Sequence, residues 1–140
     1  MRIAFADTYY FLALAVETDA AHVAALRFVR AFSGDVVTSD WILVELADAL
    51  CRQRQRHRSL VGKVFEALRT NPRVTIVNAN RNHLDAAVEL YLARADKSWS
   101  LTDCTSFIIM QEFGIADAIT GDHHFAQAGF NVSLSHSDAS

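Results

Sequence analysis

The sequence predicts an α/β domain built on a parallel sheet with helices on both faces. Short apolar runs rich in β-branched residues alternate with longer segments of helical period. Helices rather than tight turns separate the strand runs, and such spacing demands crossover connections between parallel strands. The 140 residues are 51% hydrophobic, with one proline and no low-complexity stretch, so residues 1–140 are read as a single domain with its own core.

Residues 2–6, Arg-Ile-Ala-Phe-Ala, read as a short buried strand, and Asp7-Thr8 supplies helix-start chemistry for an apolar helix to about Val16. Asp19 is placed to cap a second helix whose Val23, Leu26, Phe28 and Val29 form an apolar face up to about Phe32, where Ser33-Gly34 ends it. Asp35 to Thr38 is the second strand. Ser39 or Asp40 then caps a third helix, with Ile42, Leu43, Leu46, Ala49 and Leu50 on its buried side and Glu45 about two turns in. Ser59 to Leu68 reads as a fourth helix, Val74 to Val77 as a third strand, and about His83 to Ala95 as a fifth helix. Ser100-Leu101-Thr102-Asp103 opens a sixth helix that Gly114 closes. Ile115 to Thr120 is strand four, Asp122 heads a short helix through Ala128, and Val132 to Leu134 forms a last strand.

A net charge of −3 argues against a protein that grips nucleic acid over its whole surface. Of thirteen basic residues eleven are arginine, and Arg52, Arg54, Arg56 and Arg58 alternate with polar residues in one dense run. On a helix continuing from Glu45 these four divide between two faces. Contact with RNA phosphates, a surface for an acidic partner segment and a solvated helix end are three readings of this run. Cys51 and Cys104 fall in predicted helices and read as small buried side chains. Asp7 and the tyrosines after it interrupt any signal sequence, and no apolar run approaches a membrane span, so a cytoplasmic product is expected.

Open α/β sheets place their sites at the carboxyl ends of the strands, where Asp7 and Asp122 fall. Each acid also has a structural explanation. Asp7, Asp103 and Asp122 suit helix starts, and an aspartate cap contributes about 1 kcal/mol. Glu45, among Leu43, Val44 and Leu46, is either a surface residue or a carboxylate turned inward. Carboxylates held close together repel, which a hard cation such as Mg²⁺ or Mn²⁺ relieves. Such an ion can activate water against a phosphodiester, so the set suits phosphoryl-ester hydrolysis.

Five segments together resemble the PIN-domain family, in particular the VapC-type ribonuclease toxins. They are Phe5-Ala6-Asp7-Thr8; Asp19-x-x-His22-x-x-Ala25; Val37-Thr38-Ser39 leading to Glu45; Asp96-Lys97 with Trp99 to Cys104; and Ala118 to Phe125. The resemblance spans nearly the whole chain. It implies a three-layer α/β/α sandwich with a parallel sheet of about five strands, metal-dependent ribonuclease activity, a homodimer, and inhibition by a small cognate antitoxin. It matches Asp7, Glu45, Asp103 and Asp122 to the family's catalytic, metal-binding acids, with Ser100, Thr102 and Thr120 beside them as hydrogen-bond donors or ordinary caps. Asp117 is a rival to Asp122. His123 and His124 are candidates for substrate phosphate as well as for solvated or capping roles; His22, which resembles the family's second-helix histidine, reads as a helix-packing or capping contact, Asp19 as a cap, and Trp41 and Trp99 as core or rim residues.

Two other readings stand beside a toxin nuclease. A phospho-receiver module calls for paired acids after the first strand and a late lysine, whereas Asp7 stands alone there and the only lysines are Lys63 and Lys97. A PIN fold that binds without turnover, or cleaves outside a toxin–antitoxin pair, keeps the same architecture.

Overall fold

The computed structural model describes residues 2–52 and 58–134. Five parallel strands form one sheet: β1 (Ile3–Ala6), β2 (Asp35–Ser39), β3 (Val74–Val77), β4 (Asp117–Ile119) and β5 (Asn131–Val132), in spatial order β3-β2-β1-β4-β5. Among the described residues seven helices connect them: α1 (Thr8–Ala15), α2 (His22–Ala31), α3 (Asp40–Cys51), α4 (Arg58–Thr70), α5 (Arg81–Ala93), α6 (Leu101–Phe113) and α7 (His123–Gln127). Helices α1, α2 and α4 meet over β2 and β3, while α6 packs against both α5 and α7. The chain winds one way from β1 to β3 and the other way from β3 to β5, and the right-handed rule for parallel crossovers then puts the first two connections on one face of the sheet and the last two on the other.

Central position explains why Ala4, Phe5 and Ala6 are buried, with Val37 and Ile119 on the neighbouring strands. Phe107 joins the aromatic part of the core by edge-on contacts with Trp99 and Phe125, each at 5.0 Å between ring centres. As the sequence suggests, Trp99 is core and Trp41 is rim, half-buried against His83.

Several boundaries differ from expectation for identifiable reasons. The Asp19 carboxylate accepts from the Ala21 amide in the turn before α2, so the helix starts at His22 without a side-chain cap. Helix α5 starts at Arg81 because Asn80 caps it through the His83 amide. Of the arginines expected on a helix continuing from Glu45, Arg52 is the C-cap of α3 and Arg58 opens α4, while Arg54 and Arg56 lie outside the described residues. Cys51, expected buried, is exposed at the end of α3; Cys104 is buried as expected, and both thiols are free.

Candidate active site

The sheet order has one switch point, between β1 and β4, where the chain's two directions of winding diverge. A crevice at the carboxyl ends of the strands is expected there. Asp7 leaves β1 at this point and Thr120-Gly121-Asp122 leaves β4 beside it. Asp7 is buried and serves as N-cap of α1, its Oδ1 accepting from the Tyr10 amide at 3.4 Å. Thr120, fully buried, donates its hydroxyl to Asp7 Oδ2 at 2.9 Å and accepts from the Asp122 amide at 2.9 Å. One hydroxyl thus fixes the relation of the two acids.

Asp103 comes from the start of α6, where it and Ser100 form a reciprocal capping box. Its Oδ2 lies 3.0 Å from His124 Nδ1, and the same nitrogen is 3.3 Å from Asp122 Oδ1. The imidazole therefore bridges two acids from different elements. Glu45 reaches the group from α3 by accepting a hydrogen bond from the Thr8 hydroxyl, one residue after Asp7. It also lines a surface pocket of about 320 Å³ with Trp41, Val44, Asp48, Arg52 and Thr102, the last being the neighbour of Asp103.

Electrostatics record the same convergence. Burial pushes the Asp7 carboxyl well above the ordinary carboxylate value; the Thr120 hydrogen bond opposes this, and the charges of Asp122 and Asp103 add to it. Burial likewise raises Asp103, with the Ser100 amide opposing and the charge of Asp122 reinforcing the shift. Among the described residues no lysine or arginine pairs with any of the four acids; histidines 123 and 124 are their only ionic contacts. Asp7, Asp103 and Asp122, which repel one another without a lysine or arginine partner, have the donor chemistry that suits a hard divalent cation, and Glu45, held by Thr8, is the fourth carboxylate that could join them.

The remaining candidates separate. Thr120 sits between two acids, Thr102 is on the pocket wall beside Glu45, and Ser100 is a helix cap that orients Asp103. Asp117 begins β4 at the opposite end from Asp122 and is held by Asn131, so it does not join the group. His22 Nδ1 contacts the Ala13 carbonyl at 2.7 Å, the packing role expected of it. His123 is largely exposed, 3.9 Å from Asp122. Three contributors escape a reading of the sequence alone. Thr8 and Ser98 act through hydrogen bonds to Glu45 and His124 that depend on the sheet order. The Tyr9 hydroxyl is raised by burial and then by the charges of Asp19, Asp7 and Asp122, which places its ring at the edge of the cluster. The only local signal was the Asp7-Thr8-Tyr9 adjacency.

The sequence model of the PIN domain matches residues 4–131. The chain belongs to the PIN-domain family. Within that family it is 34% identical over 126 residues to the 23S rRNA-specific endonuclease VapC20 of Mycobacterium tuberculosis, covering 90% of this chain and 94% of the relative. The crystal structure of M. tuberculosis VapC20, described as a sarcin–ricin loop cleaving toxin, superposes with a TM-score of 0.82 at 31% identity over 91% of this chain and 95% of that one. FitAcB from Neisseria gonorrhoeae shares the fold at 14% identity, with a TM-score of 0.65 over 93% of this chain and 95% of that one. VapBC2 from Rickettsia felis, bound to a promoter DNA fragment, does so at 11% identity and a TM-score of 0.62 over 93% and 96%. In this PIN domain Asp7, Asp103 and Asp122 cluster at the switch point of the sheet, and no described helix is long and apolar enough to cross a membrane.

Proposed function

We propose that the chain is a metal-dependent endoribonuclease, the toxin of a toxin–antitoxin pair, with Asp7, Glu45, Asp103 and Asp122 as the residues that hold Mg²⁺ or Mn²⁺. The observation that carries this reading is the convergence of Asp7, Asp103 and Asp122 from three elements at the sheet's switch point, with Glu45 held by Thr8 next to Asp7, and no lysine or arginine partner among the described residues. A bound cation supplies an activated water and stabilises the leaving oxygen of an in-line displacement. The chain's own task is positional. Thr120 and the Tyr10 amide hold both oxygens of Asp7, the capping box and His124 hold Asp103, and Thr8 holds Glu45. Arg52, on the pocket wall with Glu45, is placed to meet an RNA phosphate, and His123 stands exposed at the crevice rim.

The high coverage of the similarity to VapC20 supports a structured loop of large-subunit ribosomal RNA as the substrate, and that relative's description as a toxin supports an antitoxin as partner; a homodimer as the working form is part of the proposal. The test uses purified chain freed of bound protein and a 23S rRNA fragment carrying the sarcin–ricin loop. Cleavage that requires Mg²⁺ or Mn²⁺ and disappears in Asp7→Asn and Asp103→Asn is expected. Equal cleavage by either variant removes the proposed site.

A further inference from the structure

Two consecutive histidines follow Asp122, and a carboxylate pocket for a hard cation makes no use of their ring nitrogens as ligands. His124 is fixed on both sides of its ring. Its Nε2 lies 3.2 Å from the Ser98 hydroxyl, and its Nδ1 faces Asp103 at 3.0 Å and Asp122 at 3.3 Å. The Ser98 hydroxyl can donate to Nε2 or accept from it. When it donates, Nδ1 carries the proton and bonds Asp103, the arrangement of the metal-free site; when it accepts, Nδ1 turns a lone pair toward two carboxylates, and a cation among the three can take the proton's place. A ligating histidine is ordinarily held in this way, by a hydrogen bond at the nitrogen that does not bind the metal.

The neighbouring side chain completes the set. One ligand atom each from Asp122, His123 and His124 lie within 4.8 Å of one another. Tetrahedral ligands about 2.0–2.1 Å from a Zn²⁺ ion stand roughly 3.4 Å apart; His124 Nδ1 is 3.3 Å from Asp122 Oδ1, already at that spacing, while His123 Nδ1, 3.9 Å from it, needs an inward movement. His123, largely exposed, has the room to make it.

We propose that Asp122, His123 and His124, with Asp103 as fourth ligand, form a mixed nitrogen and oxygen seat for a borderline divalent cation of the Zn²⁺ class. Imidazole suits Zn²⁺ and Co²⁺, whereas Mg²⁺ takes oxygen ligands in octahedral geometry, so the seat discriminates by ligand type. It shares Asp103 and Asp122 with the acidic pocket and to that extent rests on the reading of that pocket as a cation site. An ion held here withdraws two of the four acids from the pocket, which makes Zn²⁺ an inhibitor of Mg²⁺-dependent cleavage.

The test titrates the metal-free full chain with Co²⁺ by visible absorption and with Zn²⁺ by calorimetry. An intense visible band that Zn²⁺ abolishes is expected for the parent. The band should vanish in His123→Ala/His124→Ala and in His124→Gln, with Zn²⁺ affinity reduced at least about tenfold. Circular dichroism verifies that each variant is folded. His57→Ala/His136→Ala, which changes two histidines outside the described residues, should keep parental Zn²⁺ affinity. Unchanged Zn²⁺ affinity in the folded His123/His124 variants, or its loss in the His57/His136 variant, overturns the proposal. Mg²⁺-dependent RNA cleavage by the parent without Zn²⁺ is read in parallel. A histidine-dependent band without cleavage strikes the nuclease reading alone, and cleavage without the band strikes the zinc seat alone.

Discussion

Replacing Asp7 by asparagine separates a helix cap from a cation ligand, because asparagine caps a helix about as well as aspartate does. If Asp7 served only α1, the variant would be close to neutral. The structure predicts otherwise for the metal-free protein. An ionised carboxylate buried this deeply costs several kcal/mol, and the Thr120 and Tyr10 hydrogen bonds return only part of that. With Asp122 and Asp103 adding repulsion, removing the charge should stabilise the metal-free chain by about 2 kcal/mol at neutral pH. For a domain of this size that is a rise in Tm of roughly 6 °C.

The pH dependence supplies a second signature. The folded-state pKa of Asp7 is raised above the ordinary 3.8, so between those two values the folded chain holds a proton that the unfolded chain has released. Its contribution to stability is complete below the ordinary value and is lost as pH rises through the raised one. Asp7→Asn lacks that slope, so the variant's advantage should shrink as pH falls. Saturating Mg²⁺ should reverse the order at neutral pH, since a ligand at 100 times its Kd stabilises the parent by about 2.7 kcal/mol and the variant has lost a ligand. Thermal unfolding of both proteins in chelator and in Mg²⁺, from neutral to acidic pH, measures all three effects. A difference between variant and parent that is flat with pH, or a variant less stable in chelator, would refute the reasoning and return Asp7 to a purely capping role.

The other sites give sharper single measurements. Thr8→Val removes the hydrogen bond that orients Glu45 and should lower kcat by about 10- to 100-fold with little change in Tm, as read by RNA cleavage and a melt. Gly121→Ala places a methyl group 2.4 Å from the Tyr9 ring and 2.6 Å from the Leu134 carbonyl oxygen; chemical denaturation should show a loss of about 1–3 kcal/mol, with reduced cleavage. Ser106, fully buried, has a hydroxyl without a hydrogen-bond partner among the described residues, so Ser106→Ala should raise stability by about 1 kcal/mol in the same assay. Arg52→Gln should weaken RNA binding and reduce its salt slope by about one, measured by titration at several salt concentrations.

Strand ends and caps were legible in the sequence because they are local. Ser39, Ser100, Asp122 and Gly114 end or begin the helices expected of them, since one side chain or one left-handed glycine satisfies groups within a turn of itself. Alternatives within that local chemistry were harder to separate. Asp19 and Asn80 are both good caps, but only the backbone path shows that one closes a turn and the other opens a helix. The strand order, which makes β1 and β4 neighbours across more than a hundred residues, follows from packing and crossover handedness and from no single motif. Every long-range partner inherits that limit. Thr120 could be singled out only as the neighbour of Asp122, although its hydroxyl also serves Asp7, 113 residues away.

Capping and cation binding, set against each other when each acid is read singly, are compatible once the oxygens are counted. A carboxylate offers two oxygens and about four lone-pair directions. At Asp122 the α7 cap uses Oδ1, and at Asp103 the capping box and His124 both fall on Oδ2. The remaining oxygen of each has no hydrogen bond from the described residues. The caps therefore hold these carboxylates in orientation without consuming them, so helix formation and site assembly are one event. Glu45 lies outside that economy. It sits mid-helix, with no helix end to satisfy, and among the described residues its one hydrogen bond comes from Thr8 beside Asp7. A half-buried glutamate held by Thr8 gains no capping energy from this position. The arrangement is favourable when a cation binds, which makes Glu45 the residue whose orientation tests the proposed site most directly.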